Sequence, residues 1–215
     1  MKRCYLVRHA QTAWNRENRL QGYSDLPLNA LGQQQAKRLG EFFSPTHLTG
    51  MFTSSLQRSQ QTAAAIAAGN GHGVSPIIEQ ELAEMHLGAW EGLTPAEIDA
   101  RFEGAYQRWR TQPSSIVIPG AEPLTQVLAR ASRMLEKILV GMGEGEVVVV
   151  SHGGVIAAML AEILGADYDA LLRRLRLDNG GITALDCGMG TPHVLWINAT
   201  SHLAPLSDTD GESWF

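Results

Sequence analysis

Two histidines, His9 and His152, each stand at the end of an apolar run. Cys4-Tyr5-Leu6-Val7 leads into Arg8-His9, and Val147-Val148-Val149-Val150 leads into Ser151-His152-Gly153-Gly154. Apolar runs that stop so abruptly read as buried strands delivering their last residues to a sheet edge. In open α/β sheets, ligands bind in the crevice outside the carboxyl ends of the strands. Arg8 beside His9 at such an end is a candidate anion site, because a buried arginine without a partner is too costly to be an accident of packing. The two histidines are far apart in the chain and become neighbours only if their strands lie side by side.

Two further residues could join them. Ser54-Ser55-Leu56-Gln57-Arg58 follows a strand-like stretch and sets Arg58 in the first turn of a helix. A positive charge there opposes the helix dipole unless an anion is close, in which case the exposed N–H groups and Arg58 act together. The bland alternative is a solvated Arg58. Glu81-Leu82-Ala83-Glu84-Met85-His86-Leu87-Gly88-Ala89-Trp90-Glu91-Gly92 places carboxylates beside leucine and tryptophan. Glu84, in partly apolar surroundings, suits general acid work, whereas Glu81 and Glu91 read as surface acids. His47, His72 and His193 read as ordinary core or surface histidines.

The elements that must position these residues alternate. After the first strand, Trp14 to Pro27 is a polar loop rich in turn formers. Asn29 caps a helix with Ala36, Leu39 and Phe43 on one face. Leu48 to Thr53 is a strand, and Ser54-Ser55 is expected to cap a helix through Ala68. Gly69 to Gly73 reads as a connection and Val74 to Ile78 as a third strand. Helical pieces are expected at Pro95 to Phe102 and Tyr106 to Trp109. A long amphipathic helix follows from Leu124, ended by glycines at 141, 143 and 145. The β-branched run before Ser151 is a central parallel strand, with a helix from Val155, and Ile182 to Leu185 and Val194 to Asn198 close the chain as strands. This β-α-β-α alternation marks an α/β fold with a parallel sheet covered by helices.

The 215 residues suit one domain, 1–215, with an insertion over the site at about 91–123. Phe102, Tyr106, Arg108, Trp109 and Arg110 of that insertion are candidates for lining the entrance. A net charge of −5 gives no general attraction to nucleic acid or to an anionic membrane, so any bound anion must be held by a local basic cluster. Cys4 and Cys187 sit in apolar runs and read as buried thiols in a reducing, cytoplasmic setting. Val147 to Ala166 is apolar enough to suggest a membrane span, but Ser151, His152 and two glycines divide it into a strand and a helix.

Four ordered motifs together resemble the histidine phosphatase superfamily, whose branches include cofactor-dependent phosphoglycerate mutases, broad-specificity phosphatases and α-ribazole phosphatases. They are Leu6-Val7-Arg8-His9 with Thr12 and Asn15; Ser55-Leu56-Gln57-Arg58 with Thr62-Ala63; Leu82-Ala83-Glu84 through Gly88-Ala89-Trp90-Glu91-Gly92; and Val150-Ser151-His152-Gly153. The resemblance implies a three-layer α/β/α sandwich with a mostly parallel central sheet. It implies a metal-independent phosphomonoesterase, with no cofactor, acting on small phosphate esters through a phosphohistidine. His9 would be the nucleophile, and Arg8, Arg58 and His152 would clamp the phosphoryl oxygens. Glu84 would protonate the leaving oxygen and then activate water. Asn15, Gln21, Gly22 and the backbone N–H of Gly153 would contact phosphate or substrate.

The physics of phosphoryl transfer fits this division of labour, since the reaction needs mostly positioning and charge stabilisation. A nucleophilic His9 must be neutral, which neighbouring arginines favour, and a histidinium at 152 would add to the anion clamp. The family usually has glycine where this chain has Ala10, which fits if its φ is negative. Mutases carry an arginine-histidine-tyrosine stretch after the acid, where this chain has Met85-His86-Leu87, so a phosphatase is expected. A mutase, a non-catalytic phosphate-binding module and a metal site using His9, Glu84, His86 and His152 are the competing readings, the last opposed by the arginines beside it, which would repel a cation. A homodimer is left open.

Overall fold

The computed structural model describes residues 2–206. In chain order the elements are β1 (Lys2–Arg8), α1 (Ala13–Arg16), α2 (Ala30–Phe43), β2 (Leu48–Ser54), α3 (Gln57–Asn70), β3 (Ile77–Glu79), α4 (Pro95–Arg101), α5 (Ala105–Thr111), α6 (Leu124–Gly141), β4 (Gly145–Ser151), α7 (Gly153–Leu164), α8 (Tyr168–Leu172), β5 (Ile182–Asp186) and β6 (His193–Ala199). The six strands form one sheet in the order β3-β2-β4-β1-β5-β6. β3, β2, β4 and β1 pair in parallel, whereas β5 pairs antiparallel with both β1 and β6. The sheet is therefore mostly parallel, as the β-α alternation predicts, with an antiparallel edge.

Side chains of a strand alternate between faces, so β1 and β4 divide their apolar residues between two cores. Cys4, Leu6, Val147 and Val149 face α6 and α7, meeting Val127, Leu135, Ile156 and Leu160. Tyr5, Val7, Val148 and Val150 face α2 and α3, meeting Leu39, Phe43 and Ile66. The result is three layers, helix on sheet on helix. A smaller cluster of Trp90, Ile98, Tyr106, Trp109 and Ile118 gives the segment between β3 and α6 a core of its own. Among the described residues no helix is long and apolar enough to cross a membrane. The apolar stretch 147–166 is resolved into β4 and α7.

Several boundaries differ from the sequence reading. Ser54 and Ser55 do not cap α3; Leu56 occupies the cap position without a side-chain bond, and Ser54 turns toward His152 instead. Residues 69 and 70 belong to α3, because Asn70 donates to the carbonyls of Phe43 and Thr46 and ties the helix end to α2. β3 begins only at Ile77, after Pro76, which has no N–H for the ladder. α6 ends with Met142 in extended conformation rather than through a left-handed glycine. α7 takes Gly153 and Gly154 into its first turn, two residues earlier than the propensity of Val155 suggests.

Candidate active site

β1 and β4 are adjacent and in register, with Arg8 opposite Ser151. This brings the rings of His9 and His152 to 5.0 Å between centroids. Both rings are buried, as are Arg8 and Arg58, each 1% exposed. A charge-dense cluster thus sits at the carboxyl edge of the sheet, where the parallel strands end and the helices begin.

His9 is held from its main chain outward. Its N–H donates to the Ser151 carbonyl, and its carbonyl accepts from Asn179 Nδ2 at 3.0 Å. The ring Nδ1 lies 2.7 Å from the Ala10 carbonyl. A carbonyl oxygen can only accept, so the ring proton is on Nδ1 and the lone pair is on Nε2. Burial, then Arg58 and Arg8, push the His9 pKa well below the usual histidine value, so the ring is neutral. Ala10 itself is buried against Leu28 and Ala36, and it is absent from the residues of positive φ, so its methyl group is tolerated. Its N–H donates to Thr62 Oγ1, and Thr62 Oγ1 donates to the Arg58 carbonyl, which locks β1 to α3.

Arg58 is buried, not solvated. Its NH1 and NH2 donate to the carbonyls of Ser24 (2.8 Å) and Gly22 (2.7 Å), and its Nε donates to Nδ1 of His152 at 3.3 Å. The arginine thereby fastens the loop after α1 onto the site. Arg8 reaches the Leu177 carbonyl. Burial lowers each guanidinium to about 10, and the charge of Glu84 opposes that drop, so both stay protonated at neutral pH.

The sequence expectation of a histidinium at 152 is corrected. Nδ1 of His152 accepts from Arg58, and Nε2 lies 2.8 Å from Ser54 Oγ and 3.2 Å from Ser59 Oγ. Because a guanidinium only donates, Nδ1 carries a lone pair and the proton is on Nε2. Complete burial, Arg58, His9 and Arg8 hold its pKa well below the ordinary range. A third buried cation beside two arginines would be repelled without gaining a partner.

Glu84 comes from the loop after β3. Its carboxylate accepts from the Met85 N–H (2.9 Å) and from the Gly154 N–H in the first turn of α7 (3.1 Å). The second contact explains the glycine, since a Cβ at residue 154 would lie 2.6 Å from Glu84 Oε1. His9, Arg58, Glu84, Gln21, Gly22 and Gly154 share one cavity with Leu20, Met85, Leu87, Trp109 and Tyr168. Arg8, His152, Asn15 and Gly153 do not line it; they stand behind its walls. Asn15 closes the capping box of α1 through Thr12, and Thr12 Oγ1 also bonds Gln21.

Two residues that brace the site carry no such expectation from the sequence. Asn179, in the turn before β5, joins the His9 carbonyl to Asn15. Nothing in the local pattern of a polar turn distinguishes it. Glu91, expected to be a surface acid, accepts from the N–H groups of Tyr23 and Leu87 and from the Ser24 hydroxyl. Gly88 and Gly92 on either side of it have positive φ, so the sequence marks a bent chain there but not the partners of its carboxylate. Of the five entrance candidates only Trp109 lines the cavity. Phe102 and Tyr106 pack on Trp90, Arg108 bonds the Glu103 carbonyl, and Arg110 stays outside the lining. Among the described residues no group of three His, Cys, Asp or Glu side chains is arranged to hold a metal ion.

Residues 4–200 match the model of the histidine phosphatase superfamily (branch 1). The chain is 32% identical to phosphoserine phosphatase 1 of Hydrogenobacter thermophilus, over 94% of this chain and 95% of that one. It is 34% identical to a probable phosphoglycerate mutase, GpmB, of Serratia proteamaculans, over 86% of this chain and 85% of that one. Among solved structures, a mycobacterial glucosyl-3-phosphoglycerate phosphatase complexed with VO3 superimposes with a TM-score of 0.83 at 30% identity, over 93% of this chain and 100% of that one. The match over nearly the whole chain agrees with the architecture and with the histidines at adjoining strand ends: the chain belongs to the histidine phosphatase superfamily.

Proposed function

We propose that this chain is a phosphomonoesterase that needs no metal ion and works through a phosphohistidine on Nε2 of His9. The observation that carries the reading is the His9 ring, whose proton is pinned on Nδ1 by the Ala10 carbonyl while the residue lines a cavity with Arg58 and Glu84. In the first step the Nε2 lone pair attacks phosphorus, the ester P–O bond breaks, and Glu84 gives its proton to the leaving oxygen. In the second step the Glu84 carboxylate takes a proton from water, the water oxygen attacks phosphorus, and the P–N bond breaks to release phosphate. Arg58, on the cavity wall, neutralises the phosphoryl oxygens, and the charge of buried Arg8 beside His9 supports it from behind. At an effective dielectric near 20, a charge pair at 4 Å is worth about 4 kcal/mol before desolvation is subtracted.

In this reading His152 positions Arg58, Asn15 and Gln21 shape the phosphate end, and the Gly153 N–H at the start of α7 is a further donor. The whole chain acts as one domain, with the segment 91–123 as the cover that supplies Trp109. The partner is a small phosphate ester rather than nucleic acid or membrane, in keeping with the net charge of −5. A cytoplasmic setting suits two buried free thiols, Cys4 and Cys187.

A screen of phosphomonoesters in the presence of a chelator, run beside His9→Ala, tests the reading. Wild type is expected to hydrolyse esters in chelator, with the variant slower by about 10³ or more. Acid-labile, base-stable phosphate on wild type in a rapid quench marks the intermediate. Equal hydrolysis by both proteins, or by neither, overturns the mechanism. A mutase is the second reading, favoured by the similarity to a probable phosphoglycerate mutase. Isomerisation of monophosphoglycerate that depends on a bisphosphoglycerate primer, without net phosphate release, would select it.

A further inference from the structure

The cavity that holds His9, Arg58 and Glu84 is chemically lopsided. Its charged lining ends with Arg58 and Glu84, and its other walls include Leu20, Met85, Leu87, Trp109 and Tyr168. Two cations on neighbouring segments are committed elsewhere, Arg130 to Glu122 and the carbonyls of Glu81 and Ala83, and Arg19 to Glu97 and the Gly92 carbonyl. Met85, Trp109 and Tyr168 also border a second, roomier groove, walled by Ile116, Val117, Ile118, Leu124 and Leu128. Among the described residues the one charged side chain lining that groove, Glu122, is ion-paired to Arg130 at 2.8 Å.

A carboxylate on the leaving group would lose its hydration here without meeting a cation beyond those needed for phosphate. An apolar leaving group displaces water from apolar walls, which favours binding in proportion to the area covered. We propose that the site selects phosphomonoesters of uncharged, apolar alcohols. The aryl or alkyl part lies against Trp109 and Met85 and continues past Tyr168 into the second groove. This rests on the phosphatase reading and narrows it, and it sets the chain apart from a relative named for phosphoserine.

Matched primary-alkyl esters separate binding from leaving-group reactivity. Hydrolysis of phenethyl phosphate, a longer phenylhexyl phosphate and O-phosphoserine is compared by kcat/KM. Phenethyl phosphate is expected to exceed O-phosphoserine by about tenfold or more, and phenylhexyl phosphate to exceed both. Trp109→Ala narrows the ratio of phenethyl phosphate to O-phosphoserine. Val117→Asp, at a residue 93% exposed on the groove wall and so harmless to folding, depresses phenylhexyl phosphate more than phenethyl phosphate. If O-phosphoserine is hydrolysed as well as phenethyl phosphate, the inference falls while the phosphatase reading stands. If phenylhexyl phosphate gains nothing over phenethyl phosphate, the continuation into the groove is wrong. If no ester is hydrolysed, both readings fall.

Discussion

Arg58 and His152, 94 positions apart, are joined by a hydrogen bond from the guanidinium Nε to the imidazole Nδ1 at 3.3 Å, with both side chains buried. The bond has a direction: the arginine donates, so the histidine must be neutral. It makes one unit of a charged group and the ring that orients it, and it leaves NH1 and NH2 to hold the loop carbonyls of Ser24 and Gly22.

Arg58→Lys keeps the charge but cannot reach all three acceptors in the geometry of a planar fork. The variant is expected to fold, with kcat/KM for a phosphomonoester lower by about 10²-fold, given about 1.4 kcal/mol per tenfold step. Steady-state kinetics beside a thermal melt check it. Activity within twofold of wild type would show that charge alone matters at this position.

Stability should depend on the histidine pair. Both His9 and His152 have folded pKa values well below the ordinary 6.5, chiefly through burial, so below that pH the unfolded chain binds protons that the folded chain refuses. Their stabilising contribution is full above the unfolded pKa and declines as pH falls from there toward the depressed folded values, by up to about 1.4 kcal/mol per pH unit for each ring. Urea midpoints at pH 7.5 and about 5.5 measure it. A His152→Asn variant is expected to lose less between the two pH values than wild type; an equal loss would contradict the assignment.

Glu91 collects two backbone N–H groups and one hydroxyl, joining the loop at Tyr23 and Ser24 to the one at Leu87. Glu91→Ala leaves those donors to be resolvated or stranded, at about 1–3 kcal/mol of stability. Because the same loops wall the cavity through Gly22 and Leu87, KM is expected to rise several-fold. Chemical denaturation and kinetics on one preparation test both effects, and an unchanged midpoint would return Glu91 to the status of an ordinary surface acid.

Gly154 offers a substitution that separates folding from chemistry. Residue 154 is in the first turn of α7, where alanine is a better helix former than glycine by about 0.5–1 kcal/mol. The added methyl group would lie 2.6 Å from Glu84 Oε1, the movable end of a side chain. Gly154→Ala is expected to melt at or above the wild-type temperature while kcat falls about tenfold or more, as the displaced carboxyl loses its line to the leaving oxygen. A variant with wild-type kcat would argue against Glu84 as the proton donor.

The sequence by itself determined what propensity and periodicity can carry. The unbroken apolar runs before Arg8 and Ser151 had to be buried on both faces, which made them central parallel strands and put His9 and His152 at their ends. The spacing of Leu39 and Phe43, and of Val127, Leu135 and Ile138, specified which helix faces meet the sheet. Tertiary structure decided the rest, because hydrogen-bond partners distant in sequence leave no local trace. It turned Ser54 from a helix cap into a partner of His152, and it buried Arg58 against the Gly22 and Ser24 carbonyls. It drew Glu91 inward and placed Asn179 behind His9. The protonation of the two histidines was decided there too. A ring's tautomer follows from whether its neighbour can donate or only accept, and for His152 that neighbour is an arginine on another element.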